Sequence, residues 1–301
     1  MKKYKNLRSF MEAFQTEDQC HAYLVKSKWG KGFSCRRCQH TVSVKGRTWH
    51  HRRCKACGYD ESSTAHTLFH KLKFPLPVAF TIVYQLTTMK KGMSTLEISR
   101  QHGIHQETAW FFKRKIQEAM SAYDTDSLAG LVEADETVIG GFEPGAVGRS
   151  KGKRKIVEIA VELGPEVSKL GRARIFRAKA KHIADYSAEE ISKAMDKMID
   201  RNAVVVTDEW RSYRKALGTR IHLPIPSGKG DAMPEIHRLI FNLKNWLRGT
   251  HHKVSDFHLE QYLNEFFCRF NFRNCLESLP FKILNQMVRN DWKPYHSIIK
   301  A

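Results

Sequence analysis

The chain has 301 residues, with 51 Lys and Arg against 31 Asp and Glu and a formal net charge of +20. That length points to more than one domain, and that excess of cations to a polyanionic partner, nucleic acid ahead of an anionic membrane surface. The longest apolar stretch, Leu76 to Leu86, is too short to span a bilayer. The basic segment Met1–Phe10 is followed by no apolar run with a small-residue cleavage site, so the expected location is a reducing cytoplasm, nucleoid-associated in a bacterium.

The charge is uneven. Residues 1–120 hold 22 basic and 8 acidic side chains, +14, while residues 121–301 hold 29 and 23, +6. The N-terminal two-fifths is therefore the polyanion-binding end. Within it, Cys35, Cys38, Cys54 and Cys57 form two CxxC pairs separated by 15 residues. Each CxxC makes a tight knuckle whose thiolates point the same way. Two knuckles at the ends of a short β-excursion close a tetrahedral four-thiolate site for structural Zn²⁺, and Gly58 suits the knuckle turn. Disulfides or redox motifs would be the competing reading, and they lack a secretory context. His40, His50 and His51 are spare imidazoles in the same excursion. Arg36, Arg37, Trp49, Arg52 and Arg53 set cations and an aromatic ring beside the ribbon, as a phosphate-contacting surface requires. Cys20, Cys268 and Cys275 read as ordinary thiols.

The next segment reads as a helix-turn-helix. Ser94 caps a helix through His102, Gly103 supplies the turn, and Gln106 to Met120 forms a second helix. Leu96, Ile98, Ile104, Ala109, Phe112 and Ile116 fall where crossed helices bury side chains. The second helix then offers His105, Gln106, Thr108, Lys113, Arg114 and Lys115 to a groove or its phosphates. A plain αα-hairpin with a glycine turn has the same pattern, and both readings stay open.

From about Leu131 the pattern turns to strands: 131–137, Ile156 to Leu163, Ala173 to Ala180 and Ala203 to Thr207. A turn is expected at Gly164-Pro165 and a crossover helix over Ala188 to Asp200. Three strands, a helix and a fourth strand suit a ribonuclease-H-like mixed sheet in an α/β domain. Adjacent first and fourth strands would bring Asp135 and Asp208 together, where two carboxylates can hold a pair of Mg²⁺ or Mn²⁺ ions. Between the first two strands, Arg149, Lys151, Lys153 and Arg154 lie in a Gly-rich basic loop, either a DNA clamp or a solvated charge run. A helix over about Asp231 to Arg248 carries one apolar stripe, Ile236, Leu239, Ile240, Leu243 and Leu247. His237 and Lys244 share one edge of that stripe, Glu235 and Asn242 the other. Tyr262, Phe266, Phe267, Phe270 and Phe272 are read as core ahead of a base-stacking platform.

Several motifs in order resemble one family. They are the four-cysteine ribbon, the helix-turn-helix, Glu133-Ala134-Asp135-Glu136-Thr137 with Gly140-Gly141, and Thr207-Asp208-Glu209-Trp210 with Tyr213. Leu243-Lys244-Asn245-Trp246-Leu247-Arg248-Gly249-Thr250-His251-His252 and the run from His258 through Asn271 complete the set. Over roughly residues 15–275 the chain resembles insertion-sequence transposases of the DDE type with an ISXO2-like catalytic domain. The resemblance implies metal-dependent strand cleavage and strand transfer on double-stranded DNA, at terminal inverted repeats and a target, by a homodimer or larger complex.

It also implies a third metal-site residue seven positions before a lysine, which selects His237 with Lys244. Much of the family has Glu at that place, so this chain departs from the all-carboxylate form, and Glu235 and Asn242 remain alternatives. Glu209, where the family often has a small residue, is read as facing solvent. The competing functions are a DNA-binding regulator on an inactivated transposase scaffold and a metal-dependent nuclease that never joins strands. The implied organisation is 1–62 for the N-terminal segment with the ribbon, 63–122 for the helix-turn-helix, 123–275 for the catalytic domain and 276–301 for a C-terminal tail.

Overall fold

The computed structural model describes residues 6–123, 125–141, 154–167, 173–226, 232–251 and 254–299. In chain order its elements are α1 (Leu7–Ala13), α2 (Glu17–Trp29), β1 (Ser43–Lys45), β2 (His51–Cys54), β3 (Asp60–Ser62), α3 (Leu76–Thr88), α4 (Thr95–His102) and α5 (Gln106–Tyr123). There follow β4 (Leu131–Ile139), β5 (Lys155–Val167), β6 (Ala173–Ile183), α6 (Ala188–Met198), β7 (Val204–Asp208), α7 (Arg211–Ala216), β8 (Ile221–Ile225), α8 (Pro234–His251), α9 (Asp256–Asn271), α10 (Leu279–Arg289) and α11 (Tyr295–Ile299). They form two compact units, residues 1–123 with 275–301, and residues 124–274. Among the described residues no helix is long and apolar enough to cross a membrane.

The first unit is built around α3, which is apolar on nearly every side. Leu76, Ala79, Phe80, Ile82, Val83 and Leu86 are all buried, as a central helix requires. Capping boxes at Asn6 and Thr16 start α1 and α2, satisfying N-terminal backbone donors that would otherwise lack partners. Ser94 caps α4, and Gly103, at φ 62°, ends it in the left-handed conformation that glycine adopts without strain. Ser99 Oγ then donates to the Ile104 carbonyl across the turn. Ile98, Ala109, Phe112 and Ile116 are buried, but Leu96 is exposed.

The segment expected as a tail is structured. α10 buries Leu279, Phe281, Ile283, Leu284 and Met287 and packs against α2, α3 and α5. The ribbon strands pair in the order β1-β2-β3, antiparallel throughout. Lys28 of α2 ties them down through an ion pair to buried Glu61 at 2.6 Å and hydrogen bonds to the Ser62 and Ala65 carbonyls.

In the second unit a five-stranded sheet runs β6-β5-β4-β7-β8. β5 is antiparallel to both neighbours, whereas β4, β7 and β8 pair in parallel. This is the ribonuclease-H-like mixed sheet, with β4 and β7, the first and fourth strands, side by side. One face carries α8 and α9 over Val157, Ile159 and Val161, and the stripe Ile236, Leu239, Ile240, Leu243 and Leu247 is buried there. Phe267 belongs to that core, with Tyr262, Phe266 and Phe270 packed against it. The other face carries α6 and α7 over Val132, Ala134, Ile156 and Ala160.

Gly164-Pro165 is not the turn expected there. β5 continues to Val167 through register shifts between Glu162 and Leu163 and between Gly164 and Val167, because a proline without an N–H breaks the ladder without ending the strand. The edge of β6 is closed by side chains of α9. Asn271 accepts from the Ala178 N–H and donates to its carbonyl, and Glu260 accepts from the His182 N–H.

Candidate metal centres and DNA-contacting residues

The four thiols converge. Their sulfur atoms all lie within 4.8 Å of one another, with Cys35 to Cys57 and Cys38 to Cys54 each at 3.6 Å. A disulfide would bring a pair to about 2.05 Å. Four thiolates around Zn²⁺ at about 2.3 Å stand about 3.8 Å apart, so the spacing fits the ion. Both knuckles are closed alike: the Gln39 N–H donates to the Cys35 carbonyl and the Gly58 N–H to the Cys54 carbonyl, with φ of 61° and 70° at Gln39 and Gly58. The Cys54 thiol is pulled down to about 7, first by the Cys57 backbone N–H, which favours the metal-binding thiolate. His50 is not a ligand here; its ring stacks on His21 at 3.8 Å.

The second centre is set by strand register. β4 and β7 pair Leu131 with Val204, Val132 with Val205 and Glu133 with Val206. The pairing ends there, with Asp135 two residues further along β4 and Asp208 two further along β7; among the described residues only the four thiols stand close enough together to form a metal-ligand group, and Asp208 is not drawn into one with Asp135 and His237. Alternation then puts both on the α8 face, because Val132 and Ala134 belong to the opposite core and Val206 packs against the α8 side. His237 Nε2 lies 3.0 Å from Asp135 Oδ2. The Asp208 carboxylate accepts from the Trp210 N–H, which fixes it at the strand end.

The other two contenders stand elsewhere on α8. Glu235 is buried and paired with Arg238, and Asn242 is exposed. Lys244 is half-buried on the His237 edge. Burial lowers its pKa, then Arg248 lowers it further while the Asp135 charge raises it, so the ammonium and Asp135 share one field. Glu209 is exposed.

Two acids were missed in the sequence. Glu133, on the same strand face two residues before Asp135, accepts from the Ile236 N–H at the start of α8, and burial raises its pKa. The period of two was the signal that could have found it. On the opposite face Glu158 is fully buried, stands across from Glu136 in the ladder and accepts from the Tyr213 hydroxyl at 3.1 Å. Burial, followed by the Glu136 and Asp135 charges, pushes its pKa well up.

The expected DNA-contacting residues divide. Lys113, Arg114 and Lys115 are buried, contrary to the expectation that α5 offers them to a groove. Lys113 donates to the Met93 carbonyl, Arg114 to Gln117 and Lys115 to the His70 carbonyl, because this part of α5 lies under the rest of the unit and not on its surface. His105 and Gln106 are exposed and Thr108 half-buried. On the ribbon Arg37 and Arg53 are exposed, Arg52 lies over the Trp29 ring, and Arg36 pairs with Asp291 at 2.7 Å. Arg154 is half-buried, while Arg149, Lys151 and Lys153 lie outside the described residues.

A four-thiolate ribbon and a ribonuclease-H-like mixed sheet in one chain are the architecture of a nucleic-acid phosphoryl-transfer enzyme with a zinc module. Residues 127–271 match the family model described as the ISXO2-like transposase domain, and residues 15–60 that of the transposase zinc-ribbon domain. The chain belongs to the insertion-sequence DDE-type transposases with an N-terminal zinc ribbon and an ISXO2-like catalytic domain. It is a DNA transposase, with structural zinc in the ribbon and a divalent metal for cleavage and transfer. Neither the regulator nor the plain nuclease is favoured. The comparison with curated proteins gives no match. Among solved structures, the crystal structure of the Mos1 mariner paired end complex with Mn is similar at 14% identity and a TM-score of 0.31, over 69% of this chain and 77% of that one.

Proposed function

We propose that Asp135, Asp208 and His237 hold the divalent metal with which this transposase cuts the terminal inverted repeats of its element and joins the freed ends to target DNA. The observation that carries this reading is the 3.0 Å contact of His237 with Asp135, on a strand that pairs in parallel with the one ending at Asp208. Two carboxylates and an imidazole form a mixed oxygen and nitrogen set, which suits Mn²⁺ better than Mg²⁺. When bound, the metal supplies activation of the attacking oxygen and stabilisation of the leaving one.

The chain's own residues do the rest. Glu133, bonded to the Ile236 N–H, fixes the start of α8 against β4, so that His237 and Lys244 turn toward the aspartates. Lys244, two helical turns from His237, meets the phosphate next to the one being cut. DNA is held by the ribbon through Arg36, Arg37, Arg52 and Arg53, by α5 through Gln106 and Thr108, and by Arg154 with Arg149, Lys151 and Lys153. The active complex is a dimer or larger, acting in a reducing cytoplasm.

The test is Asp135→Ala and Asp208→Ala, assayed on a plasmid carrying the element's ends with Mn²⁺. Each should lower cleavage by at least about a thousandfold, since several kcal/mol of transition-state stabilisation are lost, while DNA retention stays near wild type. Wild-type cleavage in either variant would refute the assignment. Cut but never joined product from the wild type would make the protein a nuclease.

A further inference from the structure

A cavity of about 250 Å³ in the first unit has no part in the catalytic centre. Its walls come from the segment before α3, from α5 and from α11, with Lys71, Lys73, Phe74, Phe111, Lys115 and Tyr295 among them. Phe111 and Tyr295 meet edge to face with centroids 5.4 Å apart, and the Lys115 ammonium stands over the Phe111 ring at 4.7 Å. Lys115 is buried, with 2% of its surface exposed, and its hydrogen bond to the His70 carbonyl is long at 3.5 Å. Burial lowers its pKa to about 8. Among the described residues the His70 carbonyl, at that length, is the acceptor for this ammonium, and the cavity leaves room for a closer one. At the surface, exposed Lys71 and Lys73 add two more cations; Lys71 adopts φ 54°, a conformation that residues other than glycine rarely take. Exposed Glu107 is the one acid among the lining residues.

Aromatic faces, a buried donor and surface cations are the three contacts a nucleotide needs: stacking, a base-edge hydrogen bond and a phosphate partner. The volume lies below the about 300–1,000 Å³ of pockets for larger ligands, and so suits a single planar ring. We propose that the cavity receives one unstacked nucleotide of the DNA bound by this transposase, its base packed on Tyr295 beside Phe111 with a base-edge acceptor on the Lys115 ammonium, its phosphate on Lys71 and Lys73. The proposal rests on the chain's DNA binding and adds to it a site separate from the metal centre. Taking a base out of a duplex costs a few kcal/mol, and least where the base is already unpaired. The cavity therefore favours distorted or single-stranded positions over a regular helix.

The experiment compares the zinc-loaded full chain on two duplexes, one fully paired and one with a single unpaired 2-aminopurine. The unpaired duplex should bind about tenfold tighter, with a change in 2-aminopurine fluorescence, as stacking on one aromatic ring predicts. Phe111→Leu, Lys115→Met and the exposed Lys73→Ala should each reduce that preference while leaving affinity for the paired duplex within about twofold. Equal binding of both duplexes with unchanged fluorescence would overturn the nucleotide site and leave DNA binding intact. Failure to bind either duplex at low salt would overturn both. A deoxynucleoside monophosphate binding as tightly as the unpaired duplex would make this a free-nucleotide site and also overturn the proposal.

Discussion

Lys115→Met should make the first unit more stable at neutral pH. Burial lowers the Lys115 pKa from 10.5 to about 8 in the folded chain. Between those values the unfolded chain holds a proton that the folded one lacks, so stability rises with pH across the window. Below about 8 the penalty is present in full. A gap of about 2.5 units at 1.36 kcal/mol per unit amounts to about 3 kcal/mol. Methionine keeps the apolar stem but gives up the contact with the Phe111 ring, about 0.5–1 kcal/mol, which leaves a net gain of about 2 kcal/mol. For a unit of this size that is about 4–8 °C in Tm. Calorimetry of wild type and variant at pH 7 and near pH 10 measures it: the gain should be full at pH 7 and shrink toward zero at the higher pH. A variant less stable than wild type at pH 7, or a pH-independent difference, would show that the ammonium is not buried at a cost.

Removing zinc, or replacing Cys35 by Ser, should unfold residues roughly 30–60 while α3, α5 and α10 stay folded, because three short strands cannot bury enough apolar surface alone. Hydrogen exchange measured by peptide resolves this, and protection of β2 unchanged after chelation would contradict it. At the catalytic centre, His237→Ala should cripple cleavage, whereas His237→Glu should retain it with metal preference moving from Mn²⁺ toward Mg²⁺, as a harder donor requires. Asn242→Ala should be neutral. An active His237→Ala would mean that α8 presents a different edge to the aspartates.

Much of the catalytic unit was legible because strand and helix periods are strong signals there. The buried runs around Asp135 and Asp208 and the stripe Ile236 to Leu247 follow from alternation and from 3.6-residue spacing, and the four-cysteine spacing carries its own geometry. What could not be read was burial set by distant chain. Lys113, Arg114 and Lys115 look like a solvated basic run on α5, and only the packing of the unit, with α10 returning from the far end of the sequence, encloses that helix. The same segment, 276–301, reads as a tail because Pro280 and the polar residues around it hide an amphipathic helix whose partners lie about 200 residues earlier. Gly164-Pro165 misled for the opposite reason: the local turn signal is real, but the sheet absorbs it as a bulge.

The choice among His237, Glu235 and Asn242 is a matter of helix rotation, and the rotation is fixed by contacts outside the metal site. The apolar stripe of α8 must face Val157, Ile159 and Val161, which leaves only the two edges free to reach the end of β4. Glu133 decides between them. By accepting from the Ile236 N–H it holds the first turn of α8 close to β4, with His237 toward Asp135. Glu235, one residue on the other side of Ile236, is thereby buried near Glu133, whose pKa its charge helps to raise. There it pairs with Arg238. Moving Glu235 onto the aspartates would turn the helix by about 160° at 100° per residue and expose the stripe. Five apolar side chains at roughly 1.5–3 kcal/mol each oppose that turn, far more than a single metal-ligand exchange could offset. On the proposed assignment, a Glu in place of His237 would stand on the same helix edge beside Asp135, so His237→Glu tests the ligand without turning the helix.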